Sequence, residues 1–343
     1  MTAQTRPPAG RPVSGPDGLF DRLRPHLGAL DRLLRAQLRG FEPEIRDPVE
    51  YCLDVSGKRL RPSLVFVSGW RDGRVAPALV RAAAIVELVH LATLVHDDIM
   101  DGAELRRGRP TAARRFGSDA AVLTGDALLA HAVGLAAEFP STEVCRVVAA
   151  ATRRVCAGEV AQTLRRGDTT ITRTDYRRII DLKTAELFQL SCRLGSRLAG
   201  YDAAFVRAAA GFGRRLGVAY QIYDDLADFY GEEKRIGKTL GTDLRGGKLT
   251  LPLLLLLPKL PRRERAGLLA EIRERRRPAV ARRRAQMSAL GVFADVVGHI
   301  HAELAAATAI LRPWARLAPA GPLGQLAGLL RAQVDGLRRD ADF

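Results

Sequence analysis

Several things are scarce in this chain of 343 residues, and each scarcity excludes something. The four cysteines, Cys52, Cys145, Cys156 and Cys192, form no CxxC pair, so neither a disulfide framework nor a zinc site is indicated. A reducing cytoplasm is the expected compartment. Aromatics make up 6% of the chain, no nucleic-acid-binding module is visible and the basic residues are scattered, so no nucleic-acid partner is expected. Lysine is rare: six of the 54 cationic residues, the other 48 being arginine. No HExxH, GxSxG, Walker or GxGxxG pattern occurs in supporting context, which removes the usual nucleophile and dinucleotide sites. The longest aliphatic run, Leu249 to Leu257, is interrupted by Pro252 and falls far short of the ~20 residues of a spanning helix. On that ground a soluble protein is expected. Residues 1–18, rich in Pro, Gly and Arg, lack an apolar stretch and read as a disordered tail.

What is present is a globular composition, with 47% hydrophobic and 27% charged residues. A formal net charge of +16 favours anionic partners: nucleic acid, phosphorylated small molecules or an acidic membrane face. Nearly every segment after residue 18 has helical period and helical vocabulary. Helices are expected over about 19–39, 44–55, 60–70, 75–101, 118–138, 141–166, 174–199, 203–230, 248–257, 262–275, 278–311 and 321–339. No long linker divides them. Residues 19–343 therefore read as one all-α domain, a single helical bundle.

One pattern occurs twice. LVHDDIMD (94–101) returns 127 residues later as QIYDDLAD (221–228), each an apolar helix ending in Asp-Asp-x-x-Asp. Positions i and i+4 share a helix face, so Asp97 and Asp101 project together about one turn apart. Like charges at that spacing repel unless a cation neutralises them, and carboxylates with substrate phosphates are how Mg²⁺ is usually held. Asp224, Asp225 and Asp228 repeat the geometry, and the two sets together could clamp a diphosphate. A solvated acidic helix end is the bland reading of one copy; two copies argue against it. Four of the six lysines, Lys58, Lys183, Lys238 and Lys248, sit near a glycine or a helix end, where a point charge can reach a phosphate. Arg106 and Arg107 follow the first motif and can fork onto phosphate oxygens. His90, seven residues before Asp97, is on spacing alone either a phosphate donor or an interior histidine.

GKRLRP (57–62), HLATLVHDDIMD (90–101) with RRGRPT (106–111), GEVAQ (158–162), KTAELF (183–188), QIYDDLAD and GKTLGTDLRGGKLTLP (237–252) together resemble the trans-isoprenyl diphosphate synthase family, most of all its long-chain polyprenyl members. The resemblance implies an all-α bundle around a deep central cavity, usually a homodimer. It implies Mg²⁺, three ions per active site with Mn²⁺ able to substitute. Asp97, Asp101 and Asp224 would ligate the metal, Asp225 and Asp228 would complete the second set directly or through water, and Asp98 would support the first. Lys58, Arg61, His90 and Arg107 match positions that hold isopentenyl diphosphate, while Arg106, Lys183, Thr184, Gln221, Lys238 and Lys248 match the allylic side. The implied reaction ionises an allylic diphosphate, adds isopentenyl diphosphate to the cation and loses a proton. A peripheral membrane contact for product release is a further implied partner.

Product length turns on the residues before the first motif. Relatives that stop at farnesyl diphosphate place bulky aromatics at the fourth or fifth position before the first Asp. Here Thr93 and Ala92 stand there, with Val89 and Val86 one and two turns on, and none is aromatic. A product beyond geranylgeranyl, hexaprenyl to decaprenyl, is expected, with geranylgeranyl or farnesyl as alternatives. Terpene cyclases and head-to-head synthases carry other second motifs. A non-catalytic subunit of a heteromeric synthase usually loses aspartates, and both motifs here are complete.

Overall fold

The computed structural model describes residues 16–54, 57, 59–231, 240–274 and 279–341. The chain is helical almost throughout: α1 (Pro16–Gln37), α2 (Pro43–Asp54), α3 (Leu60–Ser68), α4 (Pro77–Met100), α5 (Ala112–Phe116), α6 (Ser118–Ala137), α7 (Thr142–Thr163), α8 (Arg173–Ile180), α9 (Glu186–Leu198), α10 (Ala203–Tyr230), α11 (Thr242–Arg245), α12 (Leu251–Leu256), α13 (Arg262–Glu274), α14 (Val280–Ala289), α15 (Val292–Leu311) and α16 (Ala320–Ala341). The only sheet among the described residues is a ribbon of two antiparallel pairs, Leu105 with Pro110 and Arg106 with Arg109.

Helices α4 and α10 form the axis of the bundle. α4 is apolar nearly all round, the mark of a helix enclosed by others, and it packs against α3, α6 and α9. α10 packs against α9 and α15. Local chemistry places the ends: Pro77 opens α4, where its missing N–H costs nothing, and the Asp202 carboxylate accepts from the Phe205 N–H at 2.8 Å to cap α10. α8 begins with a reciprocal capping box, Thr172 with Asp175.

The structure corrects the sequence reading in four places. α1 starts at Pro16, so the last residues assigned to the tail are helical; residues 1–15 lie outside the described residues. The helix expected over 174–199 widens into a π-turn at Asp181–Ala185, and such turns occur mostly at functional sites. The helix expected over 278–311 breaks at Leu290–Gly291, where Gly291 has φ +69°. Finally, α4 and α6 are each long and apolar enough to cross a membrane, a property that the aliphatic run at 249–257 did not reveal. α4 is enclosed by its neighbours, whereas α6 leaves one face outside.

Candidate active site

The C-terminal ends of α4 and α10 open onto one cavity of about 2220 Å³, above the roughly 300–1,000 Å³ of ordinary ligand pockets. Asp97, Asp98, Asp101, Asp224 and Asp225 all line it, as do Arg61, His90, Arg106, Arg107, Lys183, Thr184, Gln221 and Lys248. Lys58 and Lys238 lie outside the described residues.

The first motif is surrounded by cations from four separate segments. Arg106, on the ribbon, forks onto both oxygens of buried Asp98 at 2.7 Å each. Lys183, in the π-turn, contacts Glu159, donates to Gln162 at 2.9 Å and stands 3.3 Å from Asp97. Lys248 donates to Asp101 at 3.0 Å, and Arg166 donates to the other oxygen of Asp101 at 2.5 Å.

These contacts separate the two facing carboxyls. Burial pushes Asp97 up to about 6, because Lys183 is shared with Glu159 and compensates only part of the cost. Asp101, at the exposed helix end, meets Lys248 and Arg166, which outweigh its partial desolvation and hold it below the usual carboxylate range. Glycine makes the Lys183 arrangement possible: a Cβ on Gly158 would lie 2.5 Å from the Lys183 backbone nitrogen, so only glycine lets α7 approach the π-turn.

A second basic group lies on another part of the wall. Arg61 is enclosed, its guanidinium 5.0 Å over the Phe188 ring and its Nη1 2.9 Å from His90 Nε2. Arginine has no acceptor, so His90 Nε2 accepts and the ring is neutral. Burial and the surrounding arginines, Arg61 first among them, hold His90 well below its ordinary value. Arg107 joins them with φ +53°, and a Cβ on Gly57 would lie 2.2 Å from its guanidinium carbon. A neutral histidine with Arg61 and Arg107 beside it gives this part of the wall a positive potential that suits an anion.

The second motif is built differently. Asp225 is buried, accepts from Tyr176 Oη at 2.6 Å and from Gln221 Nε2 at 2.7 Å, and burial with nearby Asp243 pushes its carboxyl well above the ordinary range. Gln221 in turn accepts from Thr184 at 2.6 Å. Asp228 is fully buried and absent from the cavity lining; its Oδ1 accepts from the Thr242 N–H and hydroxyl, and its Oδ2 from the Asp243 N–H. Of the two residues expected to complete the second metal set, Asp225 lines the cavity while it accepts from Tyr176 and Gln221, and Asp228 lies behind the lining and braces the 241–243 loop. That loop brings Asp243 to the cavity, a residue the sequence reading passed over.

The residues expected to set product length are divided between cavity wall and core. Thr93 lines the cavity, but Ala92, Val89 and Val86 are buried in the helical core and do not. The α4 face that meets the cavity runs through Glu87, His90, Thr93 and Leu94, and Val155, Cys156, Ile180 and Leu187 supply apolar wall from other helices. Glu159, Gln162 and Arg166 were also missed as site residues. GEVAQ marked the first two only as motif letters, and one arginine among 48 carries no signal.

Whether the donors suit a metal follows from their chemistry. No group of three His, Cys, Asp or Glu among the described residues could cage an ion alone. Asp97 and Asp101 on one face, with Asp224 also on the cavity wall, suit Mg²⁺ held jointly by carboxylates and substrate phosphates. Burial, Glu159 and Asp101 raise Asp97, and Lys183 offsets only part of that rise.

An all-helical bundle brings two acidic helix ends and two basic groups to one large cavity. The polyprenyl synthetase family profile matches residues 42–289, and the chain belongs to that family. Octaprenyl diphosphate synthase of Escherichia coli is 38% identical over 204 residues, 60% of this chain and 63% of that protein, so the match spans under two thirds of the relative's length. A Caulobacter crescentus polyprenyl synthase, solved with calcium and isoprenyl diphosphate, superposes with TM-score 0.87 at 31% identity, covering 94% of this chain and 99% of the other. A decaprenyl diphosphate synthase from Rhodobacter capsulatus gives TM-score 0.84 at 30% identity, covering 93% and 99%.

Proposed function

We propose that the protein is a Mg²⁺-dependent trans-prenyltransferase that condenses an allylic diphosphate with isopentenyl diphosphate to make an all-trans polyprenyl diphosphate of hexaprenyl to decaprenyl length. The observation that carries this reading is the single cavity shared by both acidic helix ends and both basic groups. Lys183, Lys248 and Arg106 stand beside the first motif, where they neutralise an allylic diphosphate and the charge that grows on it as its C–O bond breaks. Arg61, Arg107 and neutral His90 hold the isopentenyl diphosphate, whose double bond then attacks the allylic cation. Bound Mg²⁺ would supply further Lewis-acid stabilisation of the leaving diphosphate, with Asp97, Asp101 and Asp224 as its protein ligands. The apolar wall at Thr93, Val155, Ile180 and Leu187 excludes water from the cation and takes the growing tail. The length of the product is supported by the size of the cavity and by the relatives named for octaprenyl and decaprenyl products.

The reading extends to assembly and place. A homodimer is supported by the apolar side chains left outside on α6, Val122, Leu123 and Val133. Contiguous exposed apolar surface marks an interaction site. The cytoplasm is supported by four cysteines that are all free thiols, and product release is placed at a membrane surface because the product's tail is insoluble. Supplying farnesyl diphosphate, labelled isopentenyl diphosphate and Mg²⁺ to the purified protein, then separating the dephosphorylated products, tests the activity. Products of C30 to C50 are expected. No elongation, or arrest at farnesyl, overturns the reading.

A further inference from the structure

Arg166 belongs to no motif, yet its side chain is almost fully covered (9% exposed) and it grips the first acidic motif at two points. Its Nη2 donates to Asp101 Oδ1 at 2.5 Å and its Nη1 to the Met100 carbonyl at 2.9 Å. One fork thus ties the Asp101 carboxylate to the backbone of its own helix end. The turn that carries Arg166 is anchored on both sides. Arg165 bridges Asp168 at 3.0 Å and Asp175 at 2.9 Å, and the Gly167 N–H donates to the Gly247 carbonyl at 2.8 Å. Next to Gly247, Lys248 reaches the other oxygen, Asp101 Oδ2, at 3.0 Å.

The two cations on Asp101 differ in one respect. Lys248 lines the cavity and Arg166 does not. Lys248, the cation that shares the cavity with Asp101, is the one a divalent ion would displace, while the covered Arg166 would stay. We infer that Arg166 is a positioning residue: it keeps Asp101 Oδ1 occupied, so that Oδ2 is presented as a single oriented oxygen for the metal. This rests on Asp101 being a metal ligand. Two effects oppose each other. A nearby positive charge weakens the carboxylate's attraction for a cation, while a ligand already fixed in place avoids the entropy cost of ordering it on binding. Arg166 is covered and pairs with Oδ1, the oxygen that Lys248 does not use, and the second effect is expected to dominate. Residues that hold a ligand in this way are typically worth about 10–100-fold in metal affinity.

The test reads metal binding without turnover: Mn²⁺ titrated into the full-length protein with inorganic pyrophosphate, free ion followed by electron paramagnetic resonance. Arg166→Gln is expected to weaken binding about 10-fold. Arg166→Lys keeps the charge and loses the fork, so it weakens binding by a smaller factor and decides the matter where the glutamine variant does not fold. Unchanged or tighter Mn²⁺ binding in these variants overturns the inference. Asp101→Asn in parallel separates the two levels. If it binds Mn²⁺ as wild type does, the metal reading of Asp101 fails; if it alone weakens binding, only the role of Arg166 fails. In turnover, Arg166→Gln should raise the metal concentration at half-maximal rate and leave KM for isopentenyl diphosphate unchanged, a split that general loosening of the fold would not produce.

Discussion

The ends of α4 and α10 carry the same five-residue spelling and do different work. At the end of α4, Asp97 and Asp101 face the cavity and their counter-charges come from distant segments: Lys183, Lys248 and Arg166. At the end of α10, Asp225 and Asp228 are spent internally, on Tyr176, Gln221, Thr242 and the Asp243 backbone. Lysines that can withdraw would leave a binding site behind them, with Arg166 staying on Asp101. Hydroxyls and backbone N–H groups that stay leave a scaffold. The motif thus states which residues are acidic, and the neighbours decide which of them are available.

The largest effect that tests this contrast is on turnover. Asp101→Ala should lower kcat by about a thousandfold or more, several kcal/mol of transition-state stabilisation, with only a modest fall in melting from the lost pairs to Lys248 and Arg166. Asp228→Asn should do the reverse. It leaves three donors to share one acceptor oxygen, so the protein should lose about 2–3 kcal/mol in denaturant titration, more than any direct loss at the metal. An Asp228 variant that is inactive but fully stable would break the comparison.

The second contrast lies between the two basic groups. Arg61→Ala should raise KM for isopentenyl diphosphate by roughly 10–100-fold, the worth of a charge-assisted contact of about 1.5–3 kcal/mol, and change KM for the allylic primer little. Equal changes for both substrates would merge the two groups into one site.

Smaller effects sharpen the difference within the first motif. Asp97 is raised from 3.8 to about 6, so the folded state binds more protons than the unfolded one between those values; its contribution is present below pH 3.8 and is lost as pH rises through about 6. Asp97→Asn should therefore stabilise the metal-free protein at pH 7 by about 1–3 kcal/mol, and the gain should vanish near pH 4. Asp101 is lowered, so its contribution is present above pH 3.8 and is lost as pH falls through its depressed value. Melting curves of the two Asn variants across pH 3–8 should show slopes of opposite sign. Last, Ala92→Phe now reads as overpacking in a closed core, about 1–3 kcal/mol of stability with product length kept. Thr93→Phe, on the cavity wall, is the change that should shorten the product, as chromatography of dephosphorylated products would show.

Much of this was legible in the residues. Helical period, Pro and Gly breaks and the absence of alternating runs gave the all-α bundle, because periodicity and termination are local properties. Asp97, Asp101, Lys183 and Lys248 were found by type and spacing, and they meet. The π-turn under Lys183 was not legible, since Asp181–Ala185 has ordinary helical residues and the widening is tied to the approach of Gly158 from α7. Arg166 and Asp243 were not legible either, being common residues placed by loops that only the packing of α7, α8 and α10 brings together.

The sequence by itself determined the inventory: which charges exist, that they end apolar helices, and that the helices must bury their faces in one core. Tertiary structure alone decided the assignments, because burial and the sign of the nearest charge depend on residues far away in the chain. Asp97 and Asp101 differ by one helical turn, and Asp224 and Asp228 by another. What separates a carboxylate that can take a cation from one that only braces a loop is whether its partner across the gap is a lysine that can move or an N–H that cannot.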